Sequence, residues 1–420
     1  MLRILSSRDA ERLLKRRAAR LDEAEAVVRP ILEDVRRRGD AAVLEYARRF
    51  DGFEGRSVRV PPQTLEAAAR GLPHDFRRAL RASEKNVAAF ARMQLPQAKK
   101  ITPAPGLRLS QMVRPLEAAA AYIPSGRYPL PSTVVMTVVP ARVAGVETIL
   151  VCTPKPAPEI LGTAHLLGAT HVFQMGGAHA IAAFAYGTKT VPRADRIVGP
   201  GNIYVAAAKK LLAGEVGIDF IAGPSEILLI AEDGDPRAIA ADMLAQAEHD
   251  DDASAILLAT SRKLAEAVAQ EVERQLATLP TAATARTALK RNSAILVVSS
   301  RDEALEISNR FAPEHLSIPD ASLLKRVRHA GSVFVGPWSP EAAGDYASGP
   351  NHVLPTSGAA RLRGGLSAAD FVKVISVQEL TARALRTLAP AITTLARSEG
   401  LEAHARSVEV RFAKKGGARC

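Results

Sequence analysis

Short apolar runs alternate with helical stretches from about residue 117 onward. The first series is Ala118–Ile123, Ile149–Cys152, His171–Met175, Arg196–Val198 and Ile218–Ile221. A second series begins at Ile227–Ala231 and continues through residues 254–262, 293–301 and 331–336. Such runs are typical of parallel strands that are buried on both faces and joined by helices. The pattern therefore predicts an α/β fold with parallel sheets.

The segments that flank this region have other patterns. Residues 9–50 show helical apolar spacing, for example at Leu13, Leu14, Ala18 and Leu21, and helical patterns continue to about residue 95. Residues 337–365 are rich in Gly, Pro and Ser and are predicted to form a long loop, of a length that is usually functional. The rest of the chain is predicted to be helical, with a short strand at 408–411.

Length and composition indicate a globular protein of the cytoplasm. A chain of 420 residues is too long for one ordinary core, so two or three domains are expected. No apolar run reaches the roughly 18 residues of a membrane span. The charged N-terminus predicts an amphipathic helix rather than a secretory signal. The two cysteines, Cys152 and Cys420, do not suggest a disulfide framework, which indicates a reducing compartment.

The formal net charge of +12 raises the alternative of a nucleic-acid-binding protein. The densest basic clusters, at residues 15–17 and 36–38, have carboxylates nearby and no interleaved aromatic residues. Solvated helix faces explain such clusters better. We therefore expect neither nucleic acid nor membrane as a partner, whereas a mild attraction for an anionic dinucleotide stays open.

The sequence QAEH, Gln246 to His249, ends a helix that is predicted to begin at Asp235 and Pro236. Residues three positions apart share a helix face, so the Gln246 oxygen and a His249 nitrogen can approach one metal ion. A histidine near a helix end is more often a capping or surface residue, and local evidence leaves that alternative open.

In APEHL, residues 312–316, Pro313 suits the start of a helix. A helix N-terminus would keep Glu314 ionised and His315 neutral, which are the states that a catalytic carboxylate and an imidazole base need. The alternative is that Glu314 only makes favourable first-turn contacts with the helix dipole.

Two more sequences carry candidate ligands. The predicted loop GDYASGPNHVLPT contains Asp345 and His352 among residues that cannot form a core, although Asp345 is equally an ordinary turn residue. In EGLEAH, Glu399 to His404, Gly400 interrupts a helical pattern.

Four of these residues form a plausible donor set, although spacing alone does not bring them together. They offer two imidazole nitrogens and two oxygens with no cysteine, which suits zinc, with manganese or cobalt as alternatives. The four residues are Gln246, His249, Asp345 and His404.

Two glycine turns are candidates for phosphate binding. GPGN, Gly199 to Asn202, follows a predicted strand and precedes a helix, and GGAHA, Gly176 to Ala180, has the same setting. Free backbone N–H groups at such turns bind a pyrophosphate well. The full G-x-G-x-x-G fingerprint is absent from the sequence, so tight packing turns are the rival interpretation.

Eight sequence motifs together resemble the histidinol dehydrogenase family, in order and near spacing, from about residue 5 to residue 412. They are YIPSG, FQMGGAHAIAAFAYGT, GPGN, AGPSE, QAEH, APEHL, SPEAAGDYASGPNHVLPT and EGLEAHARSVEVR. The resemblance implies two related, incomplete Rossmann-like domains with parallel sheets, plus helical N-terminal and C-terminal segments.

The resemblance also implies domain boundaries. Residues 1–20 would be the N-terminal helical segment, and residues 21–121 with 226–366 would form the substrate and metal domain. Residues 122–225 would bind the dinucleotide. Residues 367–420 would reach into the partner's site in a homodimer with shared active sites.

The activity implied by the family is the four-electron oxidation of L-histidinol to L-histidine through an aldehyde, with reduction of two NAD⁺. One zinc ion per subunit would be held by Gln246, His249, Asp345 and His404. His315 would be the general base, and Glu314 would activate the water that attacks the aldehyde. Substrate contacts would come from Ser225, His352 and Glu399 as well as from the metal-site and catalytic residues, and NAD contacts from Tyr122, His179 and Asn202.

The sequence departs from the family pattern at two marked positions. His179 stands where the family usually has Gln, which puts the affinity or pose of NAD in question, and Ser125 stands where Gly is common. Two other functions are kept as alternatives. One is a relative that oxidises another small polar alcohol, such as a sulfonated diol, and the other is a basic binding protein without catalysis.

Overall fold

The computed structural model describes residues 2–11, 21–125, 128–221 and 223–413. The predicted helical residues at 12–20 lie outside this part of the chain. The described strands are β1 Ile4–Ser6, β2 Lys99–Ala104, β3 Leu107–Pro115, β4 Ala118–Tyr122, β5 Thr148–Thr153, β6 His171–Gln174, β7 Arg196–Val198, β8 Gly217–Ile218, β9 Glu226–Ala231, β10 Ser254–Ala259, β11 Ala294–Val297, β12 His315–Ile318, β13 Ser332–Val335 and β14 Val372–Leu380.

The described α-helices connect and flank these strands. They are α1 Leu21–Arg38, α2 Asp40–Asp51, α3 Pro62–Gly71, α4 His74–Gln94, α5 Pro131–Ala144, α6 Pro158–Leu166, α7 Gly177–Tyr186, α8 Ile203–Leu212, α9 Pro236–Ala247, α10 Arg262–Leu276, α11 Ala282–Asn292, α12 Arg301–Phe311, α13 Glu341–Tyr346, α14 Ala382–Ser398 and α15 Glu402–Glu409. No helix in the described ranges is long and apolar enough to cross a membrane.

The chain divides into two compact units. One comprises Met1–Leu95 and Leu116–Phe371, and the other comprises Pro96–Pro115 and Val372–Cys420. We call them the first and the second unit.

A parallel sheet of β4–β8 forms one half of the first unit, in the order β6-β5-β4-β7-β8. Helices α1, α2, α7 and α8 cover one face, and α3–α6 cover the other. Because both faces are buried, these strands are continuous apolar runs. The strand order reverses between β4 and β7, and open α/β sheets bind ligands in the crevice at the carboxyl ends of such a pair.

A second parallel sheet has the order β1-β11-β10-β9-β12-β13. Helices α9–α11 pack on one face, and α12 with the 3-10 helix Ala321–Arg326 packs on the other. The two parallel sheets confirm the predicted α/β class.

Near the N-terminus, the structure differs from the predicted helical segment. Ile4–Ser6 forms an edge strand that pairs with β11 in parallel, because its apolar residues complete the sheet rather than a helix face.

The predicted domain boundaries group residues 21–121 with 226–366, whereas α1–α4 pack on the sheet of β4–β8. An amphipathic helix shows which of its faces is buried and not which sheet covers it.

The second unit contains an antiparallel sheet of β2, β3 and β14, with β3 in the centre. Helices α14 and α15 complete it. The C-terminal region, residues 367–420, is therefore not helical throughout, because the nine-residue strand β14 precedes helices α14 and α15. The predicted short strand at 408–411 is wrong, since α15 continues to Glu409 and is followed by a turn.

Candidate active site

The candidate active site lies at the amino ends of β9 and β12, which are neighbours in their sheet. The Glu226 N–H donates to Oε2 of Glu314 over 2.8 Å. Nδ1 of His315 lies 3.1 Å from the Glu226 carbonyl oxygen. The backbone at the start of β9 thus holds both Glu314 and His315 at one sheet edge.

The helix predicted to begin at Pro313 is wrong. Helix α12 ends at Phe311, and Ala312 takes a left-handed conformation with φ of 53°. A non-glycine residue in this region stops the helix, and the chain then enters β12 at His315. A strand therefore positions Glu314 and His315, and a helix dipole cannot set their protonation.

Burial sets the protonation of His315 instead. Together with smaller effects of His249 and His352, it lowers the pKa of His315 to about 3. Since a carbonyl oxygen only accepts hydrogen bonds, Nδ1 beside the Glu226 carbonyl carries the proton. Nε2 has no hydrogen-bond partner among the described residues and lies 3.8 Å from Oδ1 of Asp345. His315 thus presents an unprotonated nitrogen, as a general base requires.

His249, Glu341 and Asp345 form a cluster with the spacing of metal ligands. One ligand atom from each lies within 4.8 Å of the others, and Nε2 of His249 is 3.8 Å from Oδ2 of Asp345. His249 follows the end of α9, whereas Glu341 and Asp345 are one turn apart on α13. The structure therefore brings together two of the four predicted ligands and adds a carboxylate.

Gln246 lies in the last turn of α9 and is fully buried. Neither Oε1 nor Nε2 of its side chain has a hydrogen-bond partner in the described part of the chain. An unsatisfied buried polar group costs about 1–3 kcal/mol. A metal ion that accepts the amide oxygen as a ligand would offset part of this cost, so the orphaned amide fits the predicted site.

The carboxylates of the cluster also favour a cation. Burial raises the pKa of Asp345 to about 6, against a smaller opposing effect of His249. Burial raises the pKa of Glu341 well above its usual range, and the charges of Asp345 and Glu314 add to this. A divalent ion would reverse both shifts, since a nearby positive charge favours ionised carboxylates. Imidazole, carboxylate and amide donors together suit zinc.

Sequence reasoning missed Glu341 because residues 337–365 were predicted to be one loop. The segment contains α13 and the 3-10 helix Ala359–Arg361. A helix of six residues is too short to show an apolar period. The signal available was the four-residue spacing of Glu341 and Asp345, which places two carboxylates on one helix face.

Two predicted substrate contacts lie at the same sheet edge. Nδ1 of His352 is 2.9 Å from the carbonyl oxygen of Asp345, and burial lowers the pKa of His352 to about 4. Ser225 immediately precedes β9, and its carbonyl accepts the Ser254 N–H over 3.0 Å. Both residues are partly exposed and therefore accessible to a ligand.

Glu399 and His404 belong to the second unit. Glu399 is the C-cap residue that follows α14, and His404 lies in the first turn of α15, with both side chains exposed. Gly400 between the two helices has φ of 76°. The interruption predicted from this glycine is therefore present, and it separates α14 from α15.

The two glycine turns lie where the sequence predicts them, between β6 and α7 and between β7 and α8. Three N–H groups of these turns already donate hydrogen bonds within the protein, however. Gly176 donates to Asp51 over 2.9 Å and Gly177 to the Tyr122 hydroxyl over 3.1 Å. Gly199 donates to Asp219 over 2.7 Å. These three N–H groups are therefore not free for a pyrophosphate, which agrees with the alternative of tight packing turns for this part of each turn.

The predicted NAD contacts also have partners within the protein. The side-chain oxygen of Asn202 accepts from the first turn of α8. His179 is buried, and its Nε2 lies 3.0 Å from Oδ2 of Asp51. Burial raises the pKa of the Tyr122 hydroxyl above its usual range. These residues shape the carboxyl edge of the β4–β8 sheet, and Asp51 was not anticipated because it lies at the end of a remote helix, α2.

Comparisons with known proteins agree along nearly the whole chain. The family model described as "Histidinol dehydrogenase" matches residues 14–412. The histidinol dehydrogenase of Geobacter sulfurreducens is 50% identical over 401 residues, which cover 93% of this chain and 94% of that protein. The histidinol dehydrogenase of Bacillus thuringiensis subsp. konkukian is 45% identical over 413 residues, covering 96% of both. The crystal structure of histidinol dehydrogenase from Elizabethkingia anophelis has a TM-score of 0.94 at 36% identity and covers 98% of each chain.

Proposed function

Because this chain belongs to the histidinol dehydrogenase family, we propose that it oxidises L-histidinol to L-histidine through histidinaldehyde, with reduction of two NAD⁺. The observation that carries this proposal is the sheet edge where the neutral imidazole of His315 and the Glu314 carboxylate adjoin the His249–Glu341–Asp345 cluster. The reaction would complete histidine biosynthesis and draw on the NAD of the cytoplasm, where we place the enzyme.

We propose one zinc ion per subunit as the metal. Its ligands would be Gln246, His249 and Asp345 of the first unit, with His404 as the fourth. The buried Gln246 amide, which has no hydrogen-bond partner among the described residues, and the clustered carboxylates support this assignment. When bound, zinc would supply a Lewis acid that orients the imidazole and amino nitrogens of histidinol, and NAD⁺ would accept the hydride.

In the first oxidation, the hydroxyl proton of histidinol would pass to Nε2 of His315 as the carbinol carbon loses its hydride. The proton on Nδ1, held at the Glu226 carbonyl, leaves Nε2 as the basic atom. In the second oxidation, Glu314 would take a proton from the water that attacks the aldehyde, and the hydrate would lose the second hydride. His315 would thus be the base of the first step and Glu314 the base of the second, both acting at the same carbon.

Substrate recognition would involve Ser225, His352 and Glu399. His352 lies beside Asp345, and Ser225 immediately precedes β9 at the same sheet edge. The Glu399 carboxylate would attract the cationic amine of histidinol. The family resemblance further suggests a homodimer in which the segment with Glu399 and His404 reaches the partner's site. Tyr122, His179 and Asn202 would border the dinucleotide at the carboxyl edge of the β4–β8 sheet.

The experiment that tests substrate choice compares initial rates of NADH formation by the zinc-loaded enzyme. L-histidinol and a sulfonated diol are the two alcohols to compare. Because His352 and Glu399 suit an imidazole with an amine, kcat/KM for histidinol should be higher by at least about a hundredfold. A higher kcat/KM for the diol would replace the proposed substrate. No activity with either alcohol, together with salt-sensitive nucleic-acid binding, would indicate a binding protein instead.

A further inference from the structure

A buried ion pair contacts the turn from Gly199 to Asn202, which follows β7. Nζ of Lys209, on α8, is 2.7 Å from Oδ1 of Asp219. Both side chains are almost completely inaccessible to solvent, at 3% and 0% exposure. Neither residue belongs to the metal cluster or to the Glu314–His315 pair.

The Lys209–Asp219 pair binds both backbone polar groups of Gly199. Nζ of Lys209 donates to the Gly199 carbonyl oxygen over 2.5 Å, and the Gly199 N–H donates to Oδ2 of Asp219 over 2.7 Å. Oδ1 of Asp219 also accepts the Phe220 N–H over 2.7 Å. One ion pair therefore fixes the orientation of the peptide groups on both sides of Gly199.

Gly199 has little freedom at this position. Its φ is 106°, and a Cβ atom there would collide with the carbonyl oxygen of Tyr122. The glycine therefore lies directly against the end of β4. The carboxyl ends of β4 and β7 flank the point at which the strand order reverses, where open α/β sheets bind ligands. The pair thus controls the backbone at the crevice, not merely the packing of α8.

The cost of burying two charges argues for a specific role. A buried ion pair is often no more stabilising than apolar residues of similar volume, because both ions lose their hydration. What apolar residues cannot do is bind an N–H and a carbonyl of the same glycine at once. The hydrogen bonds to Gly199 therefore account for charged residues at this place.

We propose that Lys209 and Asp219 are positioning residues for the dinucleotide. They fix the turn from Gly199 to Asn202 in the conformation that receives the cofactor. This inference rests on the proposed NAD-dependent function. It assigns the residues an effect on cofactor binding and none on the metal or on histidinol.

The test uses the zinc-loaded, full-length enzyme and three variants. Lys209→Met removes the cation, and the double variant Lys209→Met with Asp219→Asn removes both charges, so that no lone buried charge disturbs folding. Lys210→Met is the matched control, since the neighbouring Lys210 pairs with Glu25 and is 43% exposed. Steady-state kinetics give KM for NAD⁺ and for histidinol, and calorimetric titration with NAD⁺ gives its affinity without turnover.

We expect the double variant to raise KM and Kd for NAD⁺ about tenfold or more, on the scale of one lost hydrogen bond to a charged group. KM for histidinol, kcat at saturation and zinc content should stay within about twofold of the parent, and Lys210→Met should match the parent throughout. Lys209→Met should show the same loss of NAD⁺ affinity in its folded fraction.

An unchanged KM for NAD⁺ in the double variant would overturn the proposal and leave the pair with a role in folding alone. A parallel rise in KM for both substrates would also overturn it, because a general structural defect acts on both. If the parent enzyme itself reduces no NAD⁺ with histidinol, the proposed function fails, whereas the calorimetric NAD⁺ titration still decides the role of the pair.

Discussion

Nε2 of His249 lies 3.8 Å from Oδ2 of Asp345, although a helix end and a separate short helix carry the two residues. Glu341 and the buried amide of Gln246 belong to the same elements. Substitutions at these residues therefore test the proposed zinc site.

His249→Ala should abolish stoichiometric zinc binding and lower turnover by more than about a hundredfold, since changes in residues that only support metal ligands already cost about 10- to 100-fold. Zinc content by elemental analysis and NADH formation measure the two effects. His74→Ala, at an exposed histidine on α4, is the control and should behave like the parent. Full zinc content in His249→Ala would refute a ligand role.

Glu341→Gln should weaken zinc binding by about 10- to 100-fold, because the change removes one carboxylate charge from the cluster while keeping its shape. Competition with a chromogenic chelator measures the affinity. Glu266→Gln, at an exposed ion pair with Arg262, is the matched control. Zinc affinity equal to that of the parent would show that Glu341 acts only on His315, whose Nδ1 is 3.2 Å away.

Glu314→Gln should affect the two oxidations unequally. The amide can still accept the Glu226 N–H, so the local geometry should persist. The amide cannot take a proton from water, and general-base catalysis contributes about 10²- to 10⁴-fold to the rate of such a step. Single-turnover rates should therefore fall far more with histidinaldehyde than with histidinol. An equal loss in both steps would contradict the assigned role.

Asp242→Asn should stabilise the metal-free protein in a pH-dependent way. Burial raises the pKa of Asp242 to about 6, whereas an unfolded Asp titrates near 3.9. The parent protein should thus lose stability as the pH rises from about 4 to about 6. Above this range its free energy of unfolding is lowered by the full cost of ionising the buried carboxyl. Since the group is partly exposed, we expect the variant to gain about 1–2 kcal/mol at pH 7.5.

The measurement is denaturant unfolding of both proteins, stripped of metal, at pH 7.5 and pH 4.5. The difference in free energy of unfolding between Asp242→Asn and the parent should shrink at the lower pH. There the Asp242 carboxyl of the folded parent is protonated and therefore uncharged, like the amide that replaces it. A difference that is the same at both pH values would show that altered packing, and not ionisation of Asp242, causes it.

The parallel sheets were predictable from the sequence because their strands are covered on both faces and are therefore continuous apolar runs. The antiparallel strands of the second unit were missed for the opposite reason. β2 is exposed throughout and has no apolar run. β14 carries a partial alternation of apolar and polar residues, from Val372 to Gln378, that was a usable signal for a half-exposed strand.

The candidate site was predictable only in part. Gln246 and His249 share a helix end, so their proximity follows from spacing, and Glu314 and His315 are adjacent in sequence. The approach of Asp345 depends on tertiary packing that no local pattern encodes. The sequence also did not indicate which edge of the sheet carries the site. General rules place ligand sites at the carboxyl ends of parallel strands, whereas Glu226 and His315 lie at the amino ends of their strands.

The count of NADH formed per histidinol consumed tests the central claim most directly. The enzyme is stripped of metal, reloaded with zinc, and given limiting L-histidinol with excess NAD⁺. We predict two NADH and one histidine per histidinol with zinc, and negligible NADH in the stripped protein. One NADH with release of the aldehyde, or equal turnover without metal, would contradict a four-electron oxidation at a zinc site built on His249 and Asp345.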